Sequence, residues 1–175
     1  MRNKKGQFYF ISALVIILII ISFVVLNNSS SKSKDTELKD LEKELNLEIE
    51  KLFEWTAQNS LNNEFTEQRF SEFSTDYLVK IGKNKNVVFI FGDKRERIIF
   101  KGYRMLGSEE ISAESGGIVI DKLGEGVFEE IIEEPGNEVT LTSGGNVYAF
   151  DLREGKNFYY YITKEYKGEK QIIVG

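Results

Sequence analysis

Three hydropathy textures follow one another along the chain. From Phe8 to Leu26 there is no charged side chain, and beyond Ala13 the run is almost entirely Ile, Leu and Val. As a helix rising about 1.5 Å per residue it spans about 30 Å, the thickness of a bilayer's hydrocarbon layer. Lipid offers the backbone no other hydrogen-bond partner, so helix prevails despite the β-branched residues. Phe8, Ile11, Leu14, Ile17, Ile20 and Leu26 mark its length. Asn27 to Lys34 is then polar and serine-rich and reads as a membrane-exit linker.

The second texture has helical period. Between Asp35 and Leu61, apolar residues fall at Leu38, Leu41, Leu45, Ile49, Leu52, Phe53 and Thr56, mostly three or four apart. Asp35 or Thr36 supplies an N-cap. Leu47 and Trp55 widen the apolar arc, which suits packing on a sheet better than a narrow coiled-coil seam. A second helix is predicted from Glu67 to Val79, with Phe70, Phe73, Tyr77 and Leu78 inward.

From Asn86 the period drops towards two. Val87 to Phe91 reads as a buried strand, Gly92-Asp93-Lys94 as its turn, and Arg97 to Phe100 as the return. Gly107 to Gly117 is polar and reads as a loop; Ile118 to Ile120 starts a further strand. Gly124-Glu125-Gly126, Pro135-Gly136, Ser143-Gly144-Gly145-Asn146, Glu154-Gly155-Lys156-Asn157 and Lys167-Gly168 punctuate the rest. Pro135-Gly136 fits a type II turn. Val139 and Leu141 alternate with threonines, and Tyr148, Phe150 and Leu152 share one face. Phe158 to Ile162 is apolar on both faces and should be central, with Gln171 to Val174 at an edge. Turns at this spacing predict an antiparallel meander or sandwich of about eight strands.

Charge adds an orientation. Arg2, Lys4 and Lys5 are the only charged residues among the first 31, so the rest of the chain nets −8 against −5 for the whole. A positive flank on one side of the apolar run places the N-terminus in the cytoplasm and the bulk outside. An acidic domain lacks the basic face that phosphate contacts need, so no nucleic-acid partner is expected. With no Cys and no His, disulfides and the commonest general base and transition-metal ligand are missing. A removable secretory signal is the alternative for the leader. Such signals have apolar cores of about 7–15 residues and a small-x-small site; this run is longer, and no Ala-x-Ala follows it.

Lys4-Lys5-Gly6-Gln7-Phe8, directly before the apolar run, resembles the class III signal of archaeal type IV pilin-like proteins. The resemblance implies cleavage between Gly6 and Gln7 on the cytoplasmic side. The apolar helix would then stay on the mature protein, able to pack in a filament core. The fullest form of that signal has Ser two residues after the Gln and Glu four after; Tyr9 and Ile11 stand there. The expected organisation is a basic leader (1–6), a membrane helix (7–26), a linker (27–34) and an extracytoplasmic α+β domain (35–175). Its helices should lie within 35–79 and its strands within 86–175.

Candidate chemistry is sparse. Gly124-Glu125-Gly126 lacks the Lys-Ser/Thr and following helix of a phosphate loop and puts a carboxylate where phosphate would sit. Glu129, Glu130, Glu133 and Glu134 form an acidic run; on a strand, Glu129 and Glu133 point one way and Glu130 and Glu134 the other. That reads as a solvated strand end rather than a calcium site or an acid–base pair. Lys94, Arg95, Arg97, Lys101 and Arg104 make a basic hairpin, read first as charges that keep an edge strand soluble, and otherwise as a patch meeting the acidic run of a neighbouring subunit or an anionic surface polymer. Tyr159-Tyr160-Tyr161 and Trp55 read as core before carbohydrate groove. The expectation is a membrane-anchored, non-enzymatic cell-surface protein without cofactor or metal. Its partners would be the bilayer and like subunits or other surface proteins. An anchored binding or accessory module that forms no filament is the alternative.

Overall fold

The computed structural model describes residues 37–59, 63–166 and 168–175. The leader and apolar run, with Gly6, Gln7 and Phe8 to Leu26, lie outside the described residues. Among the described residues no helix is long and apolar enough to cross a membrane. Two compact units divide the chain, Met1–Leu41 and Glu42–Gly175. Of the first, only the opening of helix α1 is described.

Among the described residues the fold is α+β, with two helices and two antiparallel sheets. Helix α1 covers Glu37–Gln58 and α2 covers Asn63–Ile81. Both differ at their ends from the periodicity reading. The α1 helix stops before Asn59, whose backbone N–H and side-chain amide both donate to the Trp55 carbonyl. The α2 helix starts earlier than Glu67 because its first turns also bury Thr66 and Glu67. Leu47 and Trp55 are exposed, so the apolar arc of α1 is narrower than read; Leu45, Ile49 and Thr56 are its buried stripe from Glu42 onward.

Nine strands follow among the described residues: β1 (Asn86–Asp93), β2 (Arg97–Arg104), β3 (Ile111–Ser115), β4 (Ile118–Ile120), β5 (Gly126–Glu133), β6 (Glu138–Ser143), β7 (Asn146–Asp151), β8 (Lys156–Tyr166) and β9 (Glu169–Val174). Five form sheet A in the order β5-β2-β1-β8-β9, and four form sheet B in the order β4-β3-β6-β7. The segment read as a loop after Gly107 holds β3. Ile111, Ala113 and Ser115 point inward in alternation, but two of the three are small, so the hydrophobic signal is faint. Pro135-Gly136 is not a type II turn. Glu134 takes the positive φ, 52°, and Gly136 does not. Gly136 is needed for close approach: a Cβ there would stand 3.0 Å from the Gly116 backbone nitrogen. Gly144 and Gly145, both at positive φ, close the two-residue β6–β7 hairpin as a type I′ turn, whose twist matches the strands.

The two sheets pack face to face. Val88, Ile90, Ile98, Phe100, Phe128, Ile132 and Tyr161 of sheet A meet Ile111, Ala113, Val139, Leu141 and Phe150 of sheet B. The helices cover the other face of sheet A. There Phe70 and Phe73 of α2 pack on Phe89 and Phe158, ring centroids 5.2–6.4 Å apart, and Phe53 of α1 packs on Phe70 at 5.1 Å. The Tyr160 hydroxyl of β8 donates to Asn46 Oδ1 of α1 at 2.9 Å. Covered on both faces, β1 is buried at every residue and reads as a continuous apolar run.

Candidate functional site

One end of the sandwich gathers a polar cluster around Asn86 and Lys170. Asn86 begins β1, and Thr163 stands opposite it on β8. The buried Asn86 amide donates to Thr163 Oγ1 at 3.3 Å. Its oxygen accepts from the Met105 N–H at 2.8 Å and from Ser108 Oγ at 3.0 Å. One side chain thus fixes the loop after β2 against β8. A groove of about 360 Å³ opens there, walled by Asn86, Ser108, Glu109, Thr163, Glu165 and Lys170. That is large enough for a small ligand.

Beside the groove, Lys170 of β9 forms an ion pair with Glu109. Its Nζ also lies 3.3 Å from Ser143 Oγ, which in turn donates to Glu109 Oε2 at 3.3 Å. The buried Tyr161 hydroxyl sits next to Ser143 and Lys170. Burial pushes the Tyr161 phenol up, and Ser143 and Lys170 pull it back only in part. Burial favours the neutral form of Lys170, but Glu109 and Tyr161 outweigh it and hold the amine above its ordinary range. A serine paired with lysine can act as a nucleophile only when the amine is neutral enough to take its proton. This amine is held as an ammonium, and Ser143 is buried. The arrangement therefore works as a clamp between β9, β6 and the Glu109 loop.

The hydrogen bond from Lys170 also holds the Glu109 carboxyl below the usual carboxylate range, with burial opposing it. A depressed carboxylate adds stability above its unfolded pKa and loses it as pH falls through the folded one. Glu109→Gln should therefore flatten the acid limb of a stability–pH profile, with a loss at neutral pH below about 1 kcal/mol because both side chains are partly exposed. Urea titrations from neutral to acidic pH check this; an unchanged acid limb would rule the clamp out.

The wall of this groove rests on Arg104, which is 1% exposed. Its Nε donates to the Leu123 carbonyl at 3.0 Å. Nη1 lies 3.4 Å from the carbonyls of Ser108 and Glu109, and Nη2 lies 3.0 Å from Glu125 Oε1. The planar fork ties the loop after β2 to the segment before β5.

The other charged residues singled out above are dispersed. Lys94 sits in the β1–β2 turn, and Arg95 pairs with Glu154 at 2.7 Å on the surface. Arg97 binds the buried Glu67 of α2 at 2.8 Å. Lys101 meets Glu129 at 3.0 Å and Ser71 at 2.7 Å. Because β2 pairs with β5, Lys101 lies opposite Glu129 and Arg97 opposite Glu133, so the basic hairpin and the acidic run neighbour each other within one chain. Glu130 points to the sandwich side, and Glu134 falls past the strand end. Among the described residues no group of three or more acidic side chains is placed to hold a metal ion. Tyr160 and Tyr161 are buried, and Trp55 stands at the surface with Arg69 over its ring at 5.3 Å.

Sequence reading missed Asn86, Glu109, Ser143 and Lys170. Glu109 and Lys170 are 61 positions apart and share no motif, so only strand pairing brings them together. No protein-family profile, curated protein or solved structure matches the chain.

Proposed function

We propose that this is a membrane-anchored, non-enzymatic cell-surface protein of the type IV pilin-like kind. Phe8 to Leu26 is its permanent anchor, the N-terminus faces the cytoplasm, and the head lies outside. The observation that carries this reading is the Lys4-Lys5-Gly6-Gln7-Phe8 leader abutting nineteen residues without a charge. Cleavage after Gly6 would remove the basic flank and leave the apolar helix on the mature chain. The antiparallel head is compatible with a role in contacts rather than turnover, since its Ser143–Lys170 pair is locked by Glu109. The work of such a protein is mechanical: packing through the apolar helix and contacts through the head.

Two observations favour a second reading, an anchored accessory module that never enters a filament. Ile11 stands where the fullest signal carries Glu, the carboxylate that the resemblance assigns to subunit docking. Asn27 to Lys34 also breaks the run between the membrane segment and the head.

Mass spectrometry of the mature N-terminus from native membranes separates them. A chain beginning at Gln7 is expected, with Gly6→Leu blocking the cut. Intact Met1, together with a protein never recovered in filaments, would replace the first reading by the second.

A further inference from the structure

Strand β5 is one of the two open edges of sheet A among the described residues, and it leaves apolar side chains uncovered. Among the described residues β5 pairs only with β2, so alternate N–H and C=O groups of its Val127–Glu133 stretch face outward. On the helix side of the sheet, Val127 is 69% exposed and Ile131 is also in the open. Val79 of α2, 81% exposed, shares a groove with Val127. Between α2 and this edge runs a groove of about 130 Å³ lined by Thr75, Leu78, Val79, Tyr103, Val127 and Lys83.

Proteins usually blunt such an edge with charge. Every charged residue on β5 itself is an acid, while Lys83 stands at the groove. Glu129 is answered by Lys101, and Arg97 is taken up by Glu67. Glu130, Glu133 and Glu134 form no ion pair among the described residues. A second copy of β5 would set glutamates against glutamates, and like charges facing each other across a ladder are destabilising. The edge thus disfavours its own copy and suits a strand of opposite charge.

We propose that the β5 edge takes up an extended segment of a partner protein in which apolar and basic side chains alternate along one face. The partner's main chain would continue the ladder. Its apolar side chains would lie in the groove beside Val127 and over the exposed Ile131, and its Lys or Arg residues would lie by Glu133. This is strand addition, in which the backbone gives affinity and alternate side chains give specificity. The proposal does not depend on the anchor or on filament formation.

The test uses the full chain in detergent and a peptide of about nine residues, Thr-Val-Thr-Lys-Lys-Val-Thr-Lys-Thr. Two controls go beside it: the same peptide with Glu for Lys, and one with N-methylated backbone amides. Fluorescence anisotropy should show the basic peptide binding at least about tenfold tighter than the acidic one. Hydrogen exchange should show new protection within Val127–Glu133, and N-methylation should abolish binding. Glu133→Lys should weaken the basic peptide about tenfold. Val127→Asp, at a site open enough to leave the fold intact, should weaken it similarly. Equal binding of basic and acidic peptides, or binding of neither, overturns the proposal. So does edge protection that grows with protein concentration alone, because a second copy would then be the occupant.

Discussion

Phe158→Ala is expected to cost about 3–5 kcal/mol, a large share of the stability of a domain this size. Phe158 lies on β8, next to the central strand, and its ring touches four others. Phe70 and Phe73 reach it from α2 at 5.2 and 5.8 Å, and Phe89 and Phe91 flank it from β1 at 5.7 and 6.1 Å. Truncation would leave a cavity lined by rings that cannot collapse into it, because three of them are fixed by strands or by the other helix. Phe158→Leu keeps most of the volume and should lose only about 1–1.5 kcal/mol. Urea unfolding of the full chain in detergent, followed by Trp55 fluorescence, measures both. A loss below about 1 kcal/mol for the alanine variant would mean that the helix layer does not rest on this ring.

Arg104 should be the second most sensitive position. Arg104→Ala is expected to lose about 2–4 kcal/mol, because buried carbonyls lose their donors and the Glu125 carboxylate loses its partner. Arg104→Lys should not rescue it. An ammonium cannot span Leu123 on one side and Ser108 and Glu109 on the other, which the guanidinium reaches with separate nitrogens. Arg104→Met tests whether packing of the stem alone suffices; a near-neutral result would show that the carbonyls find water instead. Hydrogen exchange should place the damage in residues 105–110 and 121–125, leaving β1 and β8 protected.

These two positions differ in how visible they are in sequence. Phe158 belongs to an apolar run that reads as an inner strand, and the structure places it one strand from the centre of sheet A. Arg104, by contrast, reads in sequence as one charge of a basic hairpin. Parity decides its fate: it shares the sandwich side of β2 with Ile98 and Phe100, whereas Arg97 and Lys101 face the helices. Parity follows from sequence, but which face lies against a second sheet does not. The helices and the β1–β2 hairpin were legible because their periods are local. Strand β3 was not, since Ser112, Ala113 and Ser115 bury little apolar area. The clamp of Glu109, Ser143 and Lys170 was invisible because it exists only after β9, β6 and the loop after β2 are brought together. The leader carries the functional reading, and its evidence is compositional.

The strand order of sheet A also sets a timetable. Strand β1 leaves the ribosome early, yet its β8 neighbour lies far downstream: Asn86 pairs with Thr163, 77 positions later. Until β8 is made, β1 has a partner on one side only, with the most apolar strand of the head left unpaired on the other. Closing so long a loop is slow, because chain entropy is lost before the contact is gained. Sheet A therefore cannot close until almost the whole head has been synthesised. On the anchored reading proposed above, a chain threaded through a membrane while still extended would gain time from such a fold, because the β8–β9 hairpin completes the sheet.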